Sequence, residues 1–393
     1  MNITLSEKMN RFPTLIFSEL SNYKNQRMQE GHDIVDLSIG SPDLPPPQFV
    51  MDALAKQVQD PTQYGYTLTG LEELHQAIAE YYERHYDVPL QEKDEVLMVM
   101  GSQDGLVHLP MVLTNPEDII LVPDPGYTAY EAGVSLAGAT TYKMPLKEEN
   151  EFLPDLEAIP EEIRAKAKMM ILNFPGNPVP SMATKEFFEK VVAFAKQNEV
   201  VVLHDFAYSE LYFEDEKPIS FLSVEGAKEV GVEFNSLSKS FNMAGCRIGY
   251  VVGNPTVVQA LDQLKSNLDY GVFRPIQNAA IQALNNSSTF SEELRNVYRR
   301  RRDVFVQGLH EIGWEVESPK ASMFIFAKVP LNMNSLDFAY NLIDEAGIVV
   351  TPGSAFGAEG EGYVRIAITQ NENVLIKAVN KLQESGVISP IKK

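Results

Sequence analysis

The strongest constraint on the fold is an alternation of short apolar runs with longer segments of helical period. Six β-branched, apolar runs predict strands at Glu95–Met100, Asp118–Pro123, Lys168–Asn173, Val200–His204, Val232–Ser236 and Arg247–Val252. Amphipathic stretches such as Thr184–Asn198 lie between several of them. Strands that alternate with helices form βαβ units, so the pattern predicts an α/β fold with a mainly parallel sheet.

A second, smaller unit is expected at the C-terminal end. A long helix is predicted at Phe290–Asp303, and further strands at Trp314–Val316, Met323–Val329 and Tyr363–Thr369. A chain of 393 residues also exceeds what one hydrophobic core usually serves. We therefore predict an N-terminal arm with part of the small domain at residues 1–45, a large domain at 46–285 and a small C-terminal domain at 286–393.

Composition argues against several classes of partner. The formal net charge of −21 disfavours nucleic acid, and the basic run Arg299–Arg302 is interpreted as a solvated helix face or an interface. The first residues lack a signal-peptide pattern, and no apolar run reaches the length of a membrane span. The single cysteine, Cys246, fits a reducing compartment. We expect a cytoplasmic protein without a metal site that binds neither nucleic acid nor membrane.

Candidate ligand-binding residues follow the predicted strands, because ligands of doubly wound sheets bind beyond the carboxyl ends of the strands. Ser102 and Gln103 open a helix after a glycine turn, which indicates either an anion site or a plain strand-to-helix turn. Tyr127 could stack on a planar ligand or pack under a loop. Asn177 lies between prolines and offers a donor and an acceptor, although asparagine in such a turn is usually structural.

Charged residues after the later strands point to a cationic ring and a carboxylate as ligands. Asp205 ends an apolar run, where a carboxylate is costly without a cation such as a protonated pyridine nitrogen. Tyr208 could donate to a neighbouring phenolate-like oxygen. Lys239 lies in an apolar turn, where desolvation favours a neutral, nucleophilic amine. Arg365 lies mid-strand and could bind a carboxylate in bidentate geometry or form a buried structural ion pair.

Taken in order, these residues resemble the class I/II aminotransferases of the pyridoxal-phosphate (PLP) fold-type I superfamily. The resemblance covers essentially the whole chain. Its most specific parts are Asp205-x-x-Tyr208 and Ser236-x-x-Lys239 followed by Arg247. It implies a seven-stranded-type sheet in the large domain, a smaller α/β C-terminal domain and pyridoxal 5'-phosphate as the cofactor.

The resemblance also implies roles for single residues. Lys239 would form the Schiff base and move the proton on the substrate's Cα, and Asp205 would keep the ring nitrogen protonated. Tyr208 and Asn177 would hydrogen-bond the ring oxygen. The phosphate and the ring face would be held by Ser102, Gln103, Ser236, Arg247 and Tyr127.

Substrate and subunit contacts follow from the same resemblance. The substrate α-carboxylate would bind Arg365, Asn177 and the backbone of Gly40. In this family a tyrosine from the neighbouring subunit reaches the phosphate, and Tyr64 and Tyr66 are the candidates. We therefore expect a homodimer with shared active sites.

The implied reaction moves the amino group of an L-amino acid to a 2-oxo acid in a ping-pong cycle. A PLP-dependent C–S β-lyase uses the same residues and is the main alternative, and a PLP-fold regulatory domain is a more distant one. Asp269–Gln277 resembles segments of LL-diaminopimelate-type aminotransferases, but alanine, aspartate, aromatic and methionine-related enzymes share the same framework. Arg274 within this segment could bind a distal carboxylate or be structural. Val179–Pro180 replaces the usual Thr-Gly beside the site, which leaves the substrate open.

Overall fold

A computed structural model describes residues 1, 3–6, 9, 10, 12, 16–286 and 288–388. The helices of this part of the chain are α1 Ile16–Gln29, α2 Gln48–Gln57, α3 Glu72–Tyr86, α4 Ser102–Leu113, α5 Thr128–Ala137, α6 Glu161–Arg164, α7 Lys185–Asn198, α8 Ala227–Val230, α9 Leu237–Ser240, α10 Pro255–Lys265, α11 Arg274–Asn285, α12 Phe290–Glu311, α13 Ser335–Asn341 and α14 Glu372–Ser385. The strands are β1 Val35–Asp36, β2 Val96–Val99, β3 Ile119–Asp124, β4 Thr140–Pro145, β5 Ala167–Leu172, β6 Val201–Asp205, β7 Gly231–Ser236, β8 Gly249–Gly253, β9 Phe324–Lys328, β10 Ile348–Val349, β11 Thr351–Pro352 and β12 Tyr363–Ala367. Among the helices described, none is both long and apolar enough to cross a membrane.

The central sheet has seven strands in the order β2-β8-β7-β6-β5-β3-β4. Strand β8 runs antiparallel to its neighbours β2 and β7, and the other pairs are parallel. The predicted α/β fold with a mainly parallel, seven-stranded sheet is therefore confirmed. Parallel strands need long crossovers, and the intervening helices supply them.

Except at edge strand β4, both faces of the sheet are buried under helices, which explains why its other strands are continuous apolar runs. In β5, Met170 and Leu172 pack into the core beneath α3, α7 and α11. The alternate side chains Met169 and Ile171 pack into the core beneath α4, α5 and α10. This two-residue period follows from the pleat of a strand.

The six predicted strands of the central sheet are present, with ends that shift by one or two residues. The prediction missed β4 because this edge strand, Thr140–Pro145, has no apolar run: half of its residues are exposed and only Met144 is buried. It also placed Arg247 inside a strand, which is wrong. Arg247 has a left-handed backbone with φ 53°, and β8 begins at Gly249.

The C-terminal unit contains an antiparallel sheet in the order β11-β12-β9, and β1 pairs with β10. The strand predicted at Trp314–Val316 is wrong. That segment joins no sheet, although Trp314 and Val316 are buried, and the Trp314 indole donates to the carbonyl oxygen of Lys328 at 2.8 Å. One hydrophobic core joins α1, α12 and α14, and it also includes Tyr208. The boundaries near residues 45 and 285 stay a prediction.

The arginine run lies on α12, which continues beyond the predicted helix end. Arg301 is buried and donates to both carboxylate oxygens of Asp43 at 2.8 Å. Arg302 is also buried and donates to the carbonyl oxygen of Pro319 at 3.0 Å. The interpretation of the run as a solvated face is therefore wrong for these two residues, which tie α12 to neighbouring loops.

Candidate active site

A cavity of about 760 Å³ opens where several strands of the central sheet end. Asp205 is the last residue of β6 and Ser236 the last of β7, so adjacent parallel strands deliver both to one edge. Among the predicted site residues, the cavity is lined by Gly40, Ser102, Gln103, Tyr127, Asn177, Asp205, Tyr208, Ser236, Lys239, Arg247 and Arg365.

Lys239 lies on the short helix α9, directly after β7. The Ser236 hydroxyl caps this helix by accepting from the backbone N–H of Ser238 at 3.1 Å. The Lys239 ammonium donates to the carbonyl oxygen of Gly40 at 2.8 Å. Burial lowers the pKa of Lys239 to about 8, and repulsion by Arg365 and Arg247 adds to this shift. Its amine is therefore neutral far more often than that of an exposed lysine.

Asp205 is a buried carboxylate, only 5% exposed, whose described hydrogen bonds come from neutral donors. The Tyr130 hydroxyl donates to Oδ2 at 2.8 Å, and the backbone N–H of Ala207 donates to Oδ1 at 3.3 Å. Burial raises the pKa of Asp205, while these hydrogen bonds oppose the rise. A cation in the cavity would favour the ionised form.

Two residues that support Asp205 were missed by the sequence analysis. Tyr130 is fully buried on α5, one helical turn after Tyr127, and this spacing was the available signal. The Asn173 side chain donates to the backbone carbonyl of Asp205 at 2.7 Å and accepts from the backbone N–H of Asn177 at 2.9 Å. Asn173 thereby joins the loops that follow β5 and β6.

Arg365 projects from β12 and is 5% exposed. Its Nη1 donates to Oδ1 of Asn177 at 2.8 Å, and its Nη2 donates to the carbonyl oxygen of Ser38 at 2.5 Å. The guanidinium lies over the rings of Phe324 and Phe356, 4.4 and 4.8 Å from their centroids. Burial lowers its pKa to about 10, so it stays cationic near neutral pH. No carboxylate contacts it among the residues described, so the structural ion pair is not found there.

The corner of the cavity beside α4 is suited to an anion. Ser102 and Gln103 begin this twelve-residue helix, where first-turn backbone N–H groups lack helical acceptors. Gly101 has φ 77°, and a Cβ there would lie 2.6 Å from Nη2 of Arg247. Glycine therefore lets the Arg247 guanidinium approach the turn closely. The Tyr127 hydroxyl donates to the Gln103 side chain at 3.1 Å across this corner.

Tyr64 and Tyr66 lie outside this cavity and are 62% and 79% exposed. The Tyr64 hydroxyl donates to the carbonyl oxygen of Val58, and the Tyr66 ring packs 4.9 Å from that of Tyr270. The expectation that one of them reaches a neighbouring subunit concerns two chains and stays a prediction.

The sequence analysis also missed the contribution of the N-terminal helix. Helix α1 lines the cavity with Phe17, Leu20, Ser21 and Lys24. These positions lie more than 200 residues before Lys239, and no local pattern connects them with it.

Comparison with known proteins decides the family. Residues 32–382 match the family model for aminotransferase class I and II. The chain belongs to this family. This aminotransferase is 43% identical to an LL-diaminopimelate aminotransferase of Dehalococcoides mccartyi, over 96% of this chain and 98% of that protein. It is 42% identical to an LL-diaminopimelate aminotransferase of Aquifex aeolicus, again over 96% and 98%.

Solved structures agree with the sequence comparisons. The aminotransferase superimposes on substrate-bound BacF from Bacillus subtilis with a TM-score of 0.94 and 38% identity, over 98% of each chain. An aminotransferase from Staphylococcus aureus gives a TM-score of 0.90 and 35% identity, over 98% of this chain and 100% of that one. Class I and II aminotransferases depend on PLP. The protein is therefore a PLP-dependent aminotransferase.

Proposed function

We propose that this aminotransferase takes the amino group of LL-diaminopimelate, or of an amino acid of similar shape, and passes it to a 2-oxo acid in a ping-pong cycle. This choice of substrate is supported by the 41–43% identity to LL-diaminopimelate aminotransferases over nearly the whole chain. The cavity, at about 760 Å³, lies within the usual range for small-molecule sites.

The residues of the cavity fit PLP at three separate points. The buried Asp205 carboxylate, hydrogen-bonded by neutral groups, suits a protonated ring nitrogen. The amine of Lys239, with its lowered pKa, suits covalent attachment to an aldehyde. The anion-binding corner suits the phosphate, which would be held by Ser102, Gln103, Ser236 and Arg247, with Tyr127 against the ring. When bound, PLP withdraws electrons from the substrate's Cα and carries the amino group between the two substrates.

Lys239 would also be the group that moves the proton of the substrate. With a pKa of about 8, its Nζ exists in both protonation states near neutral pH. It can therefore accept a proton from Cα and return it, as a general acid–base catalyst must. Tyr208, buried beside the cavity, and Asn177 would orient the cofactor's ring oxygen.

Arg365 would bind and orient the α-carboxylate. Its described partners are neutral oxygens and aromatic rings, so its charge is available to a ligand carboxylate. The side chain of Asn177 fixes the guanidinium, and the backbone of Gly40 lines the same part of the cavity. A bidentate pair here would hold the Cα–H bond in one orientation toward Lys239.

We further propose a homodimer in which Tyr64 or Tyr66 completes the partner's phosphate site. Tyr64 packs against Phe273 and Tyr66 against Tyr270, and all four rings are exposed, so a second copy could cover them. Mixing Lys239→Ala chains with Tyr64→Phe or Tyr66→Phe chains tests this arrangement. Hybrid dimers should recover activity above the mean of the two parents, and an active monomer in sedimentation would contradict the proposal.

A cytoplasmic location is part of the same proposal, since the lone Cys246 is a free thiol. Cell fractionation followed by immunoblotting should recover the protein with cytoplasmic markers. Recovery with a membrane or secreted fraction would contradict it.

The substrate is tested by a half-reaction screen that needs no acceptor. The PLP-loaded protein is mixed with single amino acids, and loss of the cofactor's aldehyde-form absorbance is followed. LL-diaminopimelate should give the largest kcat/KM in the panel. A better substrate of different shape would contradict the proposed substrate. Continued turnover of a sulfur-containing amino acid that releases pyruvate and ammonia without an added 2-oxo acid would indicate the C–S lyase.

A further inference from the structure

An ion pair in the wall of the cavity takes no part in the roles assigned above. Nζ of Lys24 on α1 lies 2.9 Å from Oδ2 of Asp36 on β1. Both side chains line the cavity, and they are 18% and 17% exposed. The pair is thus partly desolvated but still open to a ligand in the same space as Lys239.

This pair is connected directly to the arginine proposed for the α-carboxylate. Oδ1 of Asp36 accepts from the backbone N–H and the hydroxyl of Ser38, at 2.9 and 2.6 Å. The carbonyl oxygen of Ser38 accepts from Arg365. The wall of one cavity therefore presents two charged positions, the Lys24–Asp36 pair and Arg365, which are connected through Ser38.

The chemistry of the pair matches the far end of a long amino acid with a second amino and carboxylate group. We propose that Lys24 binds the distal carboxylate and Asp36 the distal ammonium of such a substrate, a claim that rests on the proposed function. A lysine ammonium has three donors, and its contact with Asp36 uses one. Phe17 and Leu20 on the same helix line the cavity with apolar surface for the intervening methylenes.

A second lysine–aspartate pair provides a control. It tests whether Lys24 binds substrate or only holds the N-terminal segment in place. Asp33 also pairs with a lysine, Lys377 on α14, at 2.7 Å. These side chains are 60% and 50% exposed, and neither lines the cavity. Asp33 also lies 3.4 Å from Lys381, so Lys377→Met removes the shorter of two lysine–aspartate contacts of the same N-terminal segment without touching the ligand space.

The experiment compares the PLP-loaded wild type, Lys24→Met and Lys377→Met. Two seven-carbon substrates, LL-diaminopimelate and L-2-aminoheptanoate, differ in the distal amino and carboxylate groups. Pimelate and heptanoate serve as competitive inhibitors that differ in the distal carboxylate alone. Lys24→Met should reduce the preference for LL-diaminopimelate over L-2-aminoheptanoate, and for pimelate over heptanoate, by roughly ten- to a hundredfold. Lys377→Met should keep both preferences within about twofold, because exposed pairs contribute little.

The outcomes separate this inference from the substrate proposal. If Lys24→Met keeps both preferences, or Lys377→Met loses them equally, the inference is overturned. Equal inhibition of the wild type by pimelate and heptanoate would also overturn it, whatever the turnover of LL-diaminopimelate. If LL-diaminopimelate is a poor substrate but the pimelate preference still depends on Lys24, the substrate proposal fails and the distal-carboxylate site stands.

Discussion

The hydroxyl of Tyr130 donates a 2.8 Å hydrogen bond to Oδ2 of Asp205, and both side chains are buried. A hydrogen bond to a carboxylate stabilises its ionised form, whereas burial favours the protonated form. Tyr130 therefore helps to keep Asp205 charged where the cofactor's ring nitrogen is proposed to bind. It acts through Asp205 and is a positioning residue.

Tyr130→Phe should weaken this support without removing the carboxylate. Loss of a hydrogen bond to a charged group costs about 1.5–3 kcal/mol, so kcat should fall by roughly 10- to 150-fold. The half-reaction rate measures this, and the pH profile should show a higher apparent pKa on its acidic limb. Unchanged kcat and an unchanged profile would show that Asp205 does not need Tyr130.

Asp205→Asn should separate stability from activity. Since burial raises the pKa of Asp205 above its unfolded value, its stabilising contribution is present at low pH and is lost as pH rises through the folded pKa. At pH 7 the cofactor-free variant should therefore have a Tm at least equal to that of the wild type. Its transamination should fall by about 10²–10³-fold or more, because a neutral amide cannot hold the ring nitrogen protonated. A lower Tm with near-normal turnover would contradict both expectations.

Arg365→Met should weaken the binding of substrates, because their α-carboxylate loses its proposed partner. We expect KM to rise roughly tenfold or more, since a charge-assisted pair is worth about 1.5–3 kcal/mol. Competitive inhibition by simple carboxylates should weaken in parallel, while PLP affinity, measured by absorbance titration, should change little. Loss of the cofactor or of the fold would indicate that Arg365 is structural.

Capture of PLP by the cofactor-free protein should depend on the neutral amine of Lys239. Burial and two nearby arginines lower its pKa to about 8, so the capture rate should rise with pH through about 8 and then level. An exposed lysine would still give a rising rate near pH 10. Stopped-flow absorbance between pH 6.5 and 10 measures this, with Lys239→Ala as the control. A rate that keeps rising above pH 9.5 would contradict the lowered pKa.

Much of the fold and of the cavity was predictable because the same pattern encodes both. Continuous apolar runs mark parallel strands that are buried on both faces. Residues after such strands meet at one edge, so the sequence predicted that Asp205 and Lys239 lie close together, and both line the same cavity. The sequence analysis missed strand β4 because a partly exposed edge strand needs no continuous apolar run.

The remainder depends on tertiary packing that no local pattern reports. The sequence Trp314–Val316 is typical of a strand, but Trp314 is buried in a segment without regular secondary structure. Arg301 appears in a basic run, yet its buried contact with Asp43 spans 258 positions. Tyr130 contacts Asp205 on a different element, and Lys24 lines a cavity whose other residues lie mostly far along the chain.

The most direct test of the central claim is reduction of the purified, PLP-loaded protein with borohydride, followed by mass spectrometry of its peptides. Borohydride makes the bond between PLP and a lysine nitrogen permanent, so the mass of the reduced cofactor marks the attachment site. We predict the label on the peptide that contains Lys239, and none on Lys239→Ala. A label on a different lysine, or a cofactor that is not fixed at all, would contradict the assignment of this cavity as the active site.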